Sequence, residues 1–342
     1  MVMKISFCIP TYNRGDVLEA NVKRILECQG NNFEVVVVDN NSPDDTRSRM
    51  EKINDPRLFY YKNSTNLGAT LNMIETYKKA RGEWIFSLSD EDYLTNDMMK
   101  AIMKYLESDE AEKVSVILGG LRKTYNDQHI IYKTARYLRG DHALCNVGFT
   151  HLYMSGLLIR KEHVDFNYLS EYSVASDGMY PYVNLLSLAC LKGDAVTLEL
   201  ELCINGPRAS NVSFLEKPNN ISFKDPINRV RQFGIFASLA LKIIEIKGNK
   251  ISKIGDIYEH FLKLSTYHWE NILQREPGYY LLEHGCEFNF EDALIFFHSN
   301  AVLWAKREAD ALNILDDLLG VFIEKNNFLR KRRGEFLNGY AS

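Results

Sequence analysis

The sequence predicts an α/β fold in which a mostly parallel sheet is flanked by helices and followed by a helical C-terminal region. Three observations carry that expectation. Strand-like and helical runs alternate up to about residue 120, one of the strands, FEVVVVD (33–39), is a continuous β-branched run, and beyond about residue 220 helical periodicity takes over.

The first strand is KISFCIP (4–10). In DVLEANVKRILECQ (16–29), Val17, Leu18, Val22, Ile25 and Leu26 recur at helical spacing behind Asp16, a candidate cap. After FEVVVVD come the strand RLFYYK (57–62), the helix ATLNMIETYKKA (69–80), ending near Gly82, and the strand EWIFSL (83–88). The helix TNDMMKAIMKYLES (95–108) and the strand VSVILGG (114–120) follow. Strands joined through helices run parallel with right-handed crossovers. From 121 to 210 the chain is mixed: strand-like HLYMSGLLIR (151–160), helical DGMYPYVNLLSLACLK (177–192) and strand-like AVTLELELCI (195–204). Past a polar stretch, residues 228–247, 253–274, 290–307 and 310–327 each have helical periodicity, which sets a boundary near 220.

The 342 residues are 46% hydrophobic, enough for a well-buried core and a second part. A net charge of −4 excludes the basic field that nucleic-acid binders use. The first apolar stretch is broken by Pro10, and no later one approaches the ~18 residues of a spanning helix, so a cytoplasmic protein is expected. The six cysteines form no CxxC pair and read as reduced, structural thiols.

Parallel sheets bind ligands at the carboxyl ends of their strands. PTYNR follows the first strand, Asp39 closes the second, and SDED (89–92) closes the fourth, so the three polar clusters are expected to share one crevice. Three successive carboxylates behind a buried strand repel one another unless a cation or protons compensate, or the turn is exposed.

Together, ISFCIPTYNR, VVVVDNNSPDDT and NLGATLNMIETYKKARGEWIFSLSDEDYL resemble the nucleotide-binding half of inverting glycosyltransferases of family 2, which have the GT-A fold. The resemblance is strong over residues 4–94, looser to about 210 and absent beyond 220. It implies a nucleotide-sugar-binding and catalytic domain at 1–220 and a helical domain at 221–342 for the acceptor side or oligomerisation. Pro10, Thr11, Tyr12 and Arg14 would contact the nucleotide, with Asn66, Gly68 and Asn72 on the same donor side. A turn set by Pro10 is the plainer reading of Tyr12. Asp39 matches the aspartate that hydrogen-bonds the base, Asn40 stands where a second acid is usual, and Asp44, Asp45 and Thr46 read as helix cap and first-turn charges.

SDED resembles the DxD-type motif that holds Mg2+ or Mn2+ against the donor diphosphate. The commonest form is LDxDD, and Ser89 replaces its first aspartate. Two registers stay open, so Asp90 is assigned to the sugar or ribose, Glu91 to the donor, and both Glu91 and Asp92 to the metal. An inverting transfer also needs a base for the acceptor hydroxyl. The family's acid after the metal motif corresponds to Asp177, which as an isolated residue reads as a helix N-cap; Glu171 is the second candidate. Ser155 and Gly156 would approach the sugar and acceptor, and Arg208 would close over the diphosphate or lie at the surface.

Implied partners are a nucleotide-sugar donor and a glycan, lipid-linked or wall-polymer acceptor of the bacterial cell envelope. RKRR at 330–333 suits either a solvated helix end or peripheral contact with the membrane's inner face, and the C-terminal helices suit a homo-oligomer. A sugar-phosphate nucleotidyltransferase would want GxGxR after the first strand, which IPTYNRGD lacks. A non-catalytic carbohydrate- or nucleotide-binding assembly protein is the other alternative, though Trp84, Trp269 and Trp304 are scattered.

Overall fold

The computed structural model describes residues 3–124, 128–148, 153–167 and 181–206. The helical region expected at 221–342, with RKRR, lies outside them, as do Glu171, Asp177 and Arg208.

The alternation is present as β1 (Ile5–Thr11), α1 (Gly15–Leu26), β2 (Phe33–Asp39), α2 (Thr46–Glu51), β3 (Leu58–Lys62), α3 (Ala69–Lys79), β4 (Trp84–Ser87), β5 (Asp92–Tyr93), α4 (Asn96–Leu106) and β6 (Val114–Lys123). The short strands β7 (Gln128–Ile130) and β8 (Ala135–Tyr137) and the short helix α5 (Asp141–Ala143) follow, then β9 (Leu157–Arg160), α6 (Pro181–Cys190) and β10 (Asp194–Asn205). Ten strands form one sheet in the order β3-β2-β1-β4-β9-β6-β10-β5, with β7 on β6 and β8 on β10.

β1 lies between β2 and β4, parallel to both, and β3 is parallel to β2. The chain thus builds outward from β1 in one direction and then in the other, which opens a crevice at the carboxyl ends of β1 and β4. β5, β7 and β8 pair antiparallel with their neighbours, and β9 interrupts the parallel order within the sheet. It enters between β4 and β6, antiparallel to both, and its four residues form only the second half of the expected strand.

Both faces of the sheet are covered. Phe7, Phe33, Val35, Val37, Trp84 and Phe86 are buried together with Leu18, Val22 and Ile25 of α1. Phe7 stacks near Phe86 and meets Phe33 edge-on, at ring separations of 4.9 and 5.7 Å. Cys8, Cys28, Cys190 and Cys203 are free and buried. Among the described residues no helix is long and apolar enough to cross a membrane.

Two helix ends differ from expectation for a physical reason. Asp16 sits inside the first turn of α1, and the first orphan N–H, that of Gly15, is taken by the Asp44 carboxylate at 3.1 Å. A glycine is required there, because a Cβ would lie 2.9 Å from the Thr46 Cα in α2. α3 stops at Lys79, and the turn after it closes on a buried carboxylate: Glu34 accepts from the Arg81 N–H and Nε, both at 2.7 Å, and from the Ser6 hydroxyl at 2.6 Å.

Candidate functional site

At the crevice, the end of β1 meets the acidic turn after β4. Thr11 donates its hydroxyl to Asp90 Oδ2 at 2.8 Å, and Arg14 donates to Asp90 Oδ1 at 2.8 Å and to Glu91 Oε2 at 3.4 Å. The loop reaches this position through Asn13, whose φ of 56° is the left-handed value asparagine tolerates, and whose N–H donates to Ser42 Oγ at 2.8 Å. From α1, Asn21 secures the Asp90 carbonyl at 2.8 Å. Burial pushes the Asp90 carboxyl above its usual range, opposed by the Arg14 charge and by the Thr11 and Arg14 hydrogen bonds. Pro10 and Tyr12 are half-buried on the same segment.

A second polar shelf closes the neighbouring strand. Asp39 is fully buried, and its carboxylate accepts from the Ser42 N–H and hydroxyl at 2.8 and 2.5 Å and from the Tyr60 hydroxyl at 2.7 Å. Beside it runs an asparagine network. Asn40 donates to Asn66 at 2.7 Å, Asn63 donates to Asn72 at 2.9 Å, and Asn72 donates to the Val38 carbonyl at 3.0 Å. Gly68, with φ of 89°, precedes α3, and its N–H donates to Asn66 Oδ1 at 2.9 Å.

On the opposite side, Asp92 is fully buried. Its Oδ2 accepts from Tyr153 at 2.6 Å and Ser155 at 2.5 Å; Oδ1 accepts from Asn205 at 2.8 Å and from the Gly206 N–H at 3.3 Å. Burial lifts its pKa to about 6, with the three side-chain hydrogen bonds pulling down and the Glu91 charge pushing up. Ser155 Oγ also accepts from the Ser89 N–H at 2.9 Å. Gly156 has φ of 81°, and a Cβ there would stand 3.2 Å from Cys203 Sγ.

Thr11, Arg14, Asp90 and Glu91 are therefore in direct contact, and Asn72 joins them to the Asp39 shelf by donating to the Thr11 carbonyl at 3.5 Å. Ser155 reaches the same acidic turn through Asp92. Ser42, Tyr60, Asn63, Tyr153 and Asn205 were not anticipated as parts of this site. Only Tyr153, two residues before Ser155 on an alternating segment, carried a signal that would have found it.

Among the described residues no three His, Cys, Asp or Glu side chains converge as a ready-made metal cage. Asp90 and Glu91 nevertheless offer hard carboxylate oxygens at the crevice, and two suffice for Mg2+ or Mn2+ when phosphate and water complete the shell. Glu91 is the more available, because its side chain is the more exposed and its contact with Arg14 the longer, at 3.4 against 2.8 Å.

Residues 6–162 match the family model described as glycosyl transferase family 2. Abequosyltransferase RfbV of Salmonella typhimurium is 29% identical over 186 residues, 48% of this chain and 54% of that protein. The GalNAc(5)-diNAcBac-PP-undecaprenol beta-1,3-glucosyltransferase of Campylobacter jejuni is 32% identical over 104 residues, 30% of this chain and 34% of that one. The chain thus spans about half or less of the length of these curated relatives. Residues 1–349 of S. aureus TarS superpose with a TM-score of 0.61 at 16% identity, covering 91% of this chain and 83% of that one, a likeness of GT-A fold.

Proposed function

We propose that the chain, whose residues 6–162 match the family 2 glycosyl transferase model, is a metal-dependent inverting enzyme moving a sugar from a nucleotide-diphosphate donor to a hydroxyl of a glycan, lipid-linked or wall-polymer acceptor. The observation that carries this reading is the meeting of Thr11 and Arg14 with Asp90 and Glu91 where the sheet order reverses. The names of the relatives, an abequosyltransferase and an undecaprenol-linked glucosyltransferase, favour a cell-envelope acceptor.

In this reading Glu91, with Asp90, would hold Mg2+ or Mn2+, and the ion would supply positive charge to the departing diphosphate. Arg14 adds a second cation to the diphosphate, Asp39 and the asparagine shelf face the nucleoside, and Ser155 and Gly156 border the sugar. The acceptor oxygen bonds to the anomeric carbon from the face opposite the diphosphate. The carbon–oxygen bond to the diphosphate breaks with its electron pair, and the acceptor proton passes to a carboxylate, assigned to Asp177. Residues 221–342 are assigned to the acceptor side or to oligomerisation, and RKRR to anionic lipid at the cytoplasmic face.

Melting of the full chain with UDP, GDP, CDP and dTDP sugars, with and without Mn2+, tests this. One donor class should raise Tm only with metal, and transfer should stop in EDTA and return with Mn2+. Full transfer by thoroughly demetallated protein would remove the metal from the scheme.

A further inference from the structure

The acidic turn contains one carboxylate whose surroundings differ from those of its neighbours. We propose that Asp92 is a positioning residue, which locks the turn carrying Asp90 and Glu91 to the strands on the sugar and acceptor side, and is not itself a ligand of the metal. This rests on the reading of Glu91 as the metal-holding carboxylate.

A carboxylate has about four lone-pair sites. Those of Asp92 face four donors: Tyr153 and Ser155 on Oδ2, at 2.6 and 2.5 Å, and Asn205 and the Gly206 N–H on Oδ1, at 2.8 and 3.3 Å. Metal ligation would require displacing donors that have no water to turn to, since the side chain is fully buried. The donors come from two places far apart in sequence, the segment entering β9 and the end of β10. They also touch one another, with Asn205 donating to the Tyr153 hydroxyl at 2.7 Å.

The other end of the turn is tied to the same point. Ser89 donates its N–H to Ser155 Oγ at 2.9 Å, while the Ser155 hydroxyl donates to Asp92 Oδ2 at 2.5 Å, so one serine holds the first and last residues of the turn. The Asp92 N–H closes the turn onto the Ser89 carbonyl at 3.1 Å. β5 then pairs Asp92 with Asn205 in register. Gly206 approaches so closely that a Cβ would stand 2.0 Å from the Glu91 carbonyl oxygen. The backbone positions of Asp90 and Glu91 are thereby set from the β9 and β10 side, through Asp92.

The test compares Asp92→Asn, Tyr153→Phe and Glu91→Gln in the full chain, reading Mn2+ affinity without nucleotide by water-proton relaxation and amide exchange across 89–93 and 153–157. Asp92→Asn puts an NH2 where an oxygen accepts, and Tyr153→Phe removes one donor and little else. Both are expected to speed exchange in the two segments together, while Mn2+ affinity stays within about threefold; Glu91→Gln should weaken Mn2+ by about tenfold or more with exchange unchanged. Loss of Mn2+ binding by Asp92→Asn equal to that of Glu91→Gln, with exchange unaltered, overturns the proposal in favour of ligation. Should Asp92→Asn not fold, unchanged exchange in Tyr153→Phe overturns it equally. If Glu91→Gln binds Mn2+ normally, the metal reading of Glu91 fails on its own, and coupled exchange in the Asp92 and Tyr153 variants alone supports or overturns the positioning role.

Discussion

Arg14 and Asp90 are both nearly buried, with side-chain exposures of 10% and 6%, so neither charge has water in reserve. Replacing Arg14 with Met leaves Asp90 beside Glu91 without its cation, held by the Thr11 hydroxyl and its own backbone N–H. The loss of stability should be about 3 kcal/mol, read from urea unfolding, with Arg14→Lys recovering part of it. A loss under about 0.5 kcal/mol would mean that the pair is solvated and contributes as surface pairs do. Asp177 admits a different test. As a base, Asp177→Asn should cut transfer at least about a hundredfold with Tm nearly unchanged; as a helix cap it should be almost silent in both, since Asn caps nearly as well as Asp. The strand-end polar residues of this site were legible because motif order and strand ends mark them. Their holders were less so, because Tyr60 and Asn205 acquire their roles only when strands distant in sequence become neighbours, and Ser42 only when the turn after β2 folds back onto Asp39.

At the level of elements, α1 and α2 share one carboxylate. Asp44 accepts the Gly15 N–H at 3.1 Å and the Thr46 N–H at 3.1 Å, so it caps two helices from a loop between β2 and α2. Asp44→Ala should cost about 1–2 kcal/mol, while Asp16→Ala, whose exposed carboxylate accepts the adjacent Val17 N–H at 2.8 Å, should cost a few tenths. Equal effects in chemical denaturation would contradict that division of labour. Periodicity revealed α1, α3 and α4 because the apolar stripe is a local property of each helix. It did not reveal β9 as an antiparallel insertion or β5 as a strand, because both depend on which partner is adjacent in space.

For the whole molecule, pH is a useful probe of how the sheet is tied at the strand ends away from the crevice. His163 is part-buried, bonds Ser115 Oγ at 2.6 Å, and has its pKa lowered chiefly by burial. A group whose folded pKa lies below its unfolded value stabilises above the unfolded value and loses that contribution as pH falls through the folded one. Stability should therefore decline below about pH 6.5 more steeply in the native chain than in His163→Gln. Parallel declines in melting temperature would assign the acid sensitivity elsewhere.

The order of the sheet has a consequence for how the chain is made. β4 is finished by residue 87 and β6 by residue 123, yet the strand that joins them, β9, is translated only at 157–160, and β10, which pairs along the opposite side of β6, only at 194–205. On the ribosome, β1 to β4 are complete as a four-stranded unit while β6 has only β7 to pair with. Until β9 emerges, β4 presents an open hydrogen-bonding edge with Trp84, Ile85 and Phe86 behind it. A pause in translation before β9 has left the ribosome should accordingly yield nascent chains that are captured by chaperones or cut by protease near β4 and β6; a pause after β9 has emerged should protect β4, and β6 should be protected on its second side only once β10 follows. The same late strand that brings Ser155 to the acidic turn thus sets the moment at which the growing polypeptide ceases to be sticky.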